Sequence, residues 1–251
     1  LTTEEVSLLS KAFAIQETLE WARNRMKYDE FKAGQFEAMY DISLRYLNAK
    51  DSKEQFKVIE ELRTGGGKTI ISQYAAALMS ALNPGGFVTA LTNTDDNARE
   101  LAKEYKQFFG DRLEIKLITA EDYEKHRSAG TLQQLRAEIS KAQVVITTYS
   151  GWSGIIASDF AGLVANENNK QLSEKIRKLL SDNHIELSEN TSTGKIEFVN
   201  SSDASKTVKL LLELSQLAGN EDIRQAINDM TIDISKITDV IADEVDYALT
   251  I

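Results

Sequence analysis

Phe56-Lys57-Val58-Ile59-Glu60-Glu61-Leu62 runs directly into Arg63-Thr64-Gly65-Gly66-Gly67-Lys68-Thr69, and an apolar, Ala-rich stretch from Ile70 to Leu82 follows. The first segment reads as a strand, the last as a helix, and the Gly-rich run as the turn between them. A strand, a Gly-rich turn and a helix in that order gather backbone N–H groups and a helix N-terminus around one point. That is an anion site. Lys68 is the residue expected to reach β- and γ-phosphates, and the Thr69 hydroxyl to bind Mg²⁺. Arg63, Thr64, Gly65, Gly66 and Gly67 complete the candidate cradle for ATP or ADP. The generic pattern opens on Gly where this chain has Leu62. A Gly-Lys-Thr tripeptide alone is a common accident; the flanking strand and helix make it a P-loop NTPase signature. The bland alternative is a Gly-rich turn with a surface lysine.

Outward from this point, strand and helix patterns alternate. Phe87 to Thr92 is a continuous apolar and β-branched run, and a helix from Asp95 to Phe109 follows, ended by Gly110. Leu113 to Thr119 and Val144 to Tyr149 read as further strands. Between them lies a charged helical stretch from Ala120 to Lys141, broken near Gly130. Asn83-Pro84-Gly85-Gly86 stops the helix that follows Lys68. The alternation predicts an α/β fold, a parallel sheet covered by helices on both faces. Upstream, helices are expected over residues 2–28 and 34–47, with Asn48 to Gln55 a loop by its polar composition.

The stretch from Leu163 to Met230 differs in character. Lys170 to Ser181 reads as helix, and residues 184–187 and 195–199 as a hairpin. Asp203 and Asn220 are expected caps of two further helices. Together these form a mostly helical insertion. Asp239-Val240-Ile241-Ala242-Asp243-Glu244 then returns as an apolar strand that ends in two carboxylates. The expected organisation is a nucleotide-binding core over 1–165, an inserted lobe over 166–230, and a return to the sheet over 231–251. A nucleotide site needs a carboxylate at a strand end to hold the Mg²⁺ shell, and a second acid to orient and deprotonate water. Asp243 suits the first role and Glu244 the second, with Glu244 and Lys68 as the catalytic pair. Away from a P-loop, such an acidic pair is an ordinary loop boundary.

Composition narrows the classes. The chain has 251 residues, no Cys, one Pro and two His, with 29 basic and 39 acidic residues for a net charge of −10. The absence of Cys removes disulfides, thiolate metal sites and Cys nucleophiles. Two histidines argue against a His-rich metal site. The acidic balance argues against broad phosphate-backbone binding, though not against a local basic groove. No apolar run approaches the length of a membrane span. Trp21 and Trp152 read as packing residues. Arg23, Arg25 and Lys27, and likewise Glu121, Asp122, Glu124 and Lys125, read as solvated faces, and His126 as exposed.

Glu61-Leu62-Arg63-Thr64-Gly65-Gly66-Gly67-Lys68-Thr69 resembles the E-M-R-T-G-E-G-K-T motif of SecA-type preprotein translocase ATPases, and Asp243-Glu244-Val245-Asp246 matches their D-E-V-D. These proteins belong to the DEAD-like helicase superfamily 2. The resemblance implies a RecA-like first nucleotide-binding domain, ATP with Mg²⁺, and an unfolded polypeptide as the moved substrate. It also implies a membrane translocon or other protein partner, and a cytoplasmic place, peripheral at a membrane. Leu62 is then expected, because that family also has an apolar residue there. Gln35, within Phe31-Lys32-Ala33-Gly34-Gln35, stands where the family reads adenine; a Gln amide offers the one acceptor and two donors that suit the adenine edge. A surface Gln at a helix start is the alternative. Thr92, Asp95 and Ala98 resemble the family's V-T-V-N-D-Y-L-A segment, and Thr147 and Thr148 its Gly-Thr; in both places a capped loop without ligand is the alternative.

The departures are specific. Gly66 replaces a Glu, the separation of Gln35 from Lys68 is longer, and Ile146 to Trp152 lacks the N-E-x-G-F-D-Y-L-R-D signature. The resemblance covers about 31–165 and 236–251. The missing initiator Met and the stop soon after Glu244 lead to the expectation of a fragment of a larger motor. Its second RecA-like domain, with the arginine finger, would lie elsewhere, and the piece alone would turn ATP over weakly. Two other functions stand beside this one: a superfamily 2 helicase with a basic groove around Thr92 and Thr148, and a SecA-like interaction module without catalysis.

Overall fold

A computed structural model describes residues 2–25, 31–32, 34–52, 67–165, 170–189, 196–199, 227, 231 and 236–242. The strand expected at Phe56 to Leu62, the helix expected after Asp203 and most of the one expected after Asn220 lie outside these residues. Four strands form the main sheet: β1 (Phe87–Thr92), β2 (Ile115–Ile118), β3 (Val144–Thr148) and β6 (Ile237–Ala242), in the order β2-β3-β1-β6. Every neighbouring pair is parallel, with Thr92 opposite Thr148 and Leu91 opposite Ala242. A parallel sheet needs covering on both faces, and its central strands read accordingly. Every residue of β1 and of β3 is buried.

One face carries α1 (Thr3–Arg25), α2 (Gln35–Ser52), α3 (Lys68–Leu82) and α4 (Asp95–Phe109). Met39, Tyr74, Leu78, Tyr105 and Phe109 pack there against Val88, Ala90, Val144 and Ile146. The three alanines of Ala75-Ala76-Ala77 let α3 lie close to its neighbours. Trp21 of α1 stacks on Phe109 at 5.0 Å and meets Phe108 edge-on at 4.6 Å, as a packing residue. Fully buried large side chains such as Met39, Leu78 and Phe109 contribute about 1.5–3 kcal/mol each relative to exposure.

The other face carries α5 (Ala120–Ser128), α6 (Leu132–Ile139), α7 (Tyr149–Val164) and α8 (Lys170–Asp182). Leu135, Ile139, Trp152, Ile156, Phe160 and Ile176 pack there against Phe87, Leu91, Ile118 and Val145. An antiparallel pair, β4 (Glu186–Glu189) and β5 (Ile196–Val199), lies against α7, with the Phe198 ring 6.0 Å from Phe160. The hairpin strands and the helix before them therefore share a buried cluster with the main sheet. The architecture is the RecA-like α/β sheet flanked by helices that the sequence predicts.

Four expectations need correction. Residues 48–52, expected to be loop, continue α2; Ala49 and Lys50 favour helix, and neither Gly nor Pro interrupts. Tyr149, expected to end a strand, opens α7, because the Thr148 hydroxyl accepts from the Gly151 N–H at 3.0 Å and caps the helix. Asp122 is no solvated bystander: it completes a capping box with Thr119 at the head of α5. His126 is half-buried rather than exposed, its Nδ1 3.0 Å from the Thr131 hydroxyl.

Candidate functional site

All four main strands point the same way, so their carboxyl ends form one edge of the sheet. Such an edge is where open α/β sheets bind ligands. Three helices that begin at this edge are capped by threonine: Thr94 for α4, Thr119 for α5 and Thr148 for α7. The helix α3 is different. Its N-cap is Gly67, which offers no side-chain acceptor, and its first turn holds no acid. Lys68 opens the helix exposed, and Thr69 is half-buried. A helix start of this kind leaves N–H donors and the positive end of the dipole available to an anion.

Gly67 has a left-handed backbone, φ 79° and ψ 44°. Gln35 lies against it. The Gln35 side chain is buried, its Oε1 accepts from the Lys32 N–H at 2.8 Å, and its Nε2 donates to the Gly67 carbonyl at 3.4 Å. A Cβ at position 67 would sit 2.1 Å from Gln35 Nε2. So two candidate residues far apart in the chain meet at the start of α3, and the surface alternative for Gln35 is excluded by its burial. The residues present fit a phosphate group: an uncapped helix start, a backbone turn no side chain could enter, and a cation beside it. Of the remaining candidates, Arg63, Thr64, Gly65, Gly66, Asp243 and Glu244 lie outside the described residues. Asp243 directly follows Ala242, the last residue of β6.

Further along the edge, Thr92 and Thr147 carry buried hydroxyls with no hydrogen-bond partner among the described residues. A buried hydroxyl left unsatisfied costs about 1–3 kcal/mol, which favours sites where a partner arrives. Thr89, in mid-strand, shares the condition, so it does not mark the site by itself. A Cβ at Gly151 would lie 2.9 Å from both the Thr147 and Thr148 hydroxyls, so α7 springs tightly from β3. Asp95 has a structural role: its carboxylate accepts from the Ala120 N–H at 3.2 Å and joins the heads of α4 and α5.

Sequence reasoning missed a polar group at the opposite end of α3. The Tyr46 hydroxyl of α2 donates to Asp239 of β6 at 2.8 Å, and Asn83 Nδ2 donates to that hydroxyl at 2.7 Å. Burial first, and then the negative charge of Asp239, push the Tyr46 phenol far above its ordinary range. No sequence signal joins residues this distant. Among the described residues a groove lined by basic side chains lies away from Thr92 and Thr148. It is open, about 410 Å³, and lies on α4 and β2 between Arg99, Lys103, Lys106 and Leu117. Among the described residues, no group of three or more His, Asp or Glu could hold a metal. No described helix is long and apolar enough to cross a membrane.

The family model for DEAD/DEAH box helicases matches residues 45–194, more than half of the chain. The match includes Arg63 to Thr69 and stops before β6. No curated protein and no solved structure matches the chain.

Proposed function

The chain belongs to the DEAD/DEAH box helicase family, and on that premise we propose that it is a motor domain that binds and hydrolyses ATP at the head of α3. At the level of the family, such domains are ATPases that work with ATP and Mg²⁺. One observation carries the assignment of the site: the uncapped, acid-free start of α3 at left-handed Gly67, with Lys68 beside it. In this reading the Lys68 ammonium and the N–H groups of the first turn hold the phosphates, within a cradle that Arg63 to Gly66 complete. Thr69 and Asp243 would hold the Mg²⁺, and Gln35 would meet the adenine edge by exchanging its bonds to Lys32 and Gly67 for the base. Glu244 takes the proton from the attacking water. A metal held by these residues would supply charge neutralisation to the phosphates.

What the motor moves is a finer question. The SecA-like stretches Glu61 to Thr69 and Asp243 to Asp246 favour an unfolded polypeptide, with a translocon or other protein as partner and a cytoplasmic, membrane-peripheral place. The helicase reading has its own support: the family match itself, and the cationic groove on α4. The test measures ATP turnover of the protein with unfolded polypeptide and, separately, with polynucleotide. Stimulation by polypeptide alone supports the translocase, and stimulation by polynucleotide alone supports the helicase. Nucleotide binding lost in Lys68→Ala, together with turnover lost but binding kept in Glu244→Gln, supports the motor. A folded protein without nucleotide binding contradicts it and leaves a non-catalytic interaction module.

A further inference from the structure

The helix α4 carries a cationic stripe. Arg99, Lys103 and Lys106 stand four and then three residues apart, so they share one exposed face of the helix. Lys103 and Lys106 have no ion-pair partner among the described residues. Arg99 pairs with Glu121 at 3.5 Å, with both side chains exposed, and an ion pair in water is weak. Glu100 and Glu104 of the same helix do not line the groove beside the stripe. In a chain of net charge −10 this is a local reversal of sign.

The groove has a carbon floor. Ala102 of α4 is buried there, and Leu117 of β2 is half-buried against the same core. The stems of Lys103 and Lys106 extend that carbon surface while their charged ends stay in water. Among the described residues β2 is the outer strand of the main sheet, paired on one side with β3. Backbone groups alternate sides along a strand. The Glu114 carbonyl accepts from the Val144 N–H at 3.2 Å, on the β3 side. The N–H and carbonyl of Leu117, an odd number of residues on, therefore face away from β3, where no described residue bonds them. One groove thus joins three cations, an apolar floor, and a backbone donor and acceptor on an open sheet edge.

We propose that this groove is a docking site for an extended, acidic peptide segment of a partner protein, laid along β2 as an added strand. Its carboxylates meet Arg99, Lys103 and Lys106. An apolar side chain between them rests on Ala102 and Leu117, and its backbone exchanges hydrogen bonds with Leu117. In strand addition of this kind, main-chain bonds give affinity and alternate side chains give specificity. Charge alone would also suit a phosphate backbone. The Leu117 carbonyl decides between the two, because it needs a donor, which a peptide N–H supplies and a phosphate oxygen does not. The carbon floor likewise offers a phosphate no partner. The inference is independent of the nucleotide site at the head of α3.

The test is fluorescence anisotropy of a labelled synthetic peptide with the whole chain. The peptide carries glutamate, leucine and glutamate at alternate positions, with serine between them. The expected result is saturable binding that falls about tenfold or more in the double variant Lys103→Glu, Lys106→Glu, since attraction becomes repulsion. A peptide with glutamine for glutamate loses affinity in the same way. Two peptides N-methylated along opposite edges should differ: the one blocked toward β2 binds up to about tenfold more weakly, the other as before. No saturable binding, unchanged affinity in the double variant, or equal affinity of the two N-methylated peptides overturns the proposal. So does oligouridylate that binds more tightly than the peptide and is lost in the same variant, because the groove is then a polynucleotide site. If the double variant does not fold, the glutamine peptide and the N-methylated pair decide on the native chain.

Discussion

Gln35 and Gly67 touch at the head of α3, the side-chain amide of one donating to the carbonyl of the other at 3.4 Å. The contact excludes any side chain at position 67, where a Cβ would fall 2.1 Å from Gln35 Nε2 at a backbone φ of +79°. Gly67→Ala should therefore destabilise the protein by about 1–2 kcal/mol from the left-handed backbone alone. Nucleotide affinity should fall as well, because Gln35 is displaced. Urea unfolding and ADP titration check the two parts; a variant of unchanged stability contradicts the geometry.

Arg136 and Asp159 form the most deeply buried ion pair among the described residues, with the Asp159 side chain 4% exposed. The guanidinium Nε lies 2.9 Å from the carboxylate and NH2 also contacts it. The pair joins α6 to α7 on the face opposite α3. Arg136→Met should cost about 3–5 kcal/mol, since a buried carboxylate loses its cation. Thermal unfolding measures this, and nucleotide affinity in the folded variant should be unchanged.

The Thr119–Asp122 capping box predicts a pH dependence. Burial pushes the Asp122 carboxyl up, but the N–H and hydroxyl of Thr119, with the charges of Lys116 and Arg99, outweigh it and hold the group below its ordinary value. A carboxylate depressed in the folded state stabilises above its unfolded pKa, about 3.9, and that contribution is lost as pH falls through the folded value. Asp122→Ala should lose on the order of 1 kcal/mol at pH 7. Its difference from the native chain should shrink as pH drops below about 4. A difference independent of pH in urea unfolding would show that the carboxylate is not the source.

His184 is the one non-glycine residue with positive φ among those described, at 55°. It ends α8 in a Schellman arrangement, with the Ile185 N–H bonded to the Leu180 carbonyl at 3.0 Å and the His184 N–H to Ser181. Its side chain is exposed, so little packing depends on it. His184→Gly should stabilise by up to about 1 kcal/mol. A lower melting temperature would contradict the reading.

Much of the architecture is legible in residue patterns, for reasons that differ by element. β1 and β3 are buried on both faces, and they read as continuous apolar and β-branched runs. The end of α4 is legible because Gly110 follows a clear amphipathic stretch, and the start of α3 at Lys68 because the Gly-rich run ends there and an apolar stretch follows. The rest depends on tertiary partners. α7 is buried nearly all round, from Trp152 to Leu163, so it shows no amphipathic period. The end of α2 is polar and resembles a loop in composition. The register shift of β6 between Phe87 and Val88 is not legible, because Ile237-Thr238-Asp239-Val240-Ile241-Ala242 has no regular alternation against which one extra residue would stand out; Gly86, a turn residue of another element, makes room for it.

The central claim is that the head of α3 is a nucleotide site, and calorimetric titration of the chain with Mg·ADP and Mg·ATP, beside Lys68→Ala, tests it most directly. The account predicts saturable binding by the native protein and its loss in the variant, since the phosphates lose their cation. Equal affinity in both proteins, at equal folded content, would contradict it.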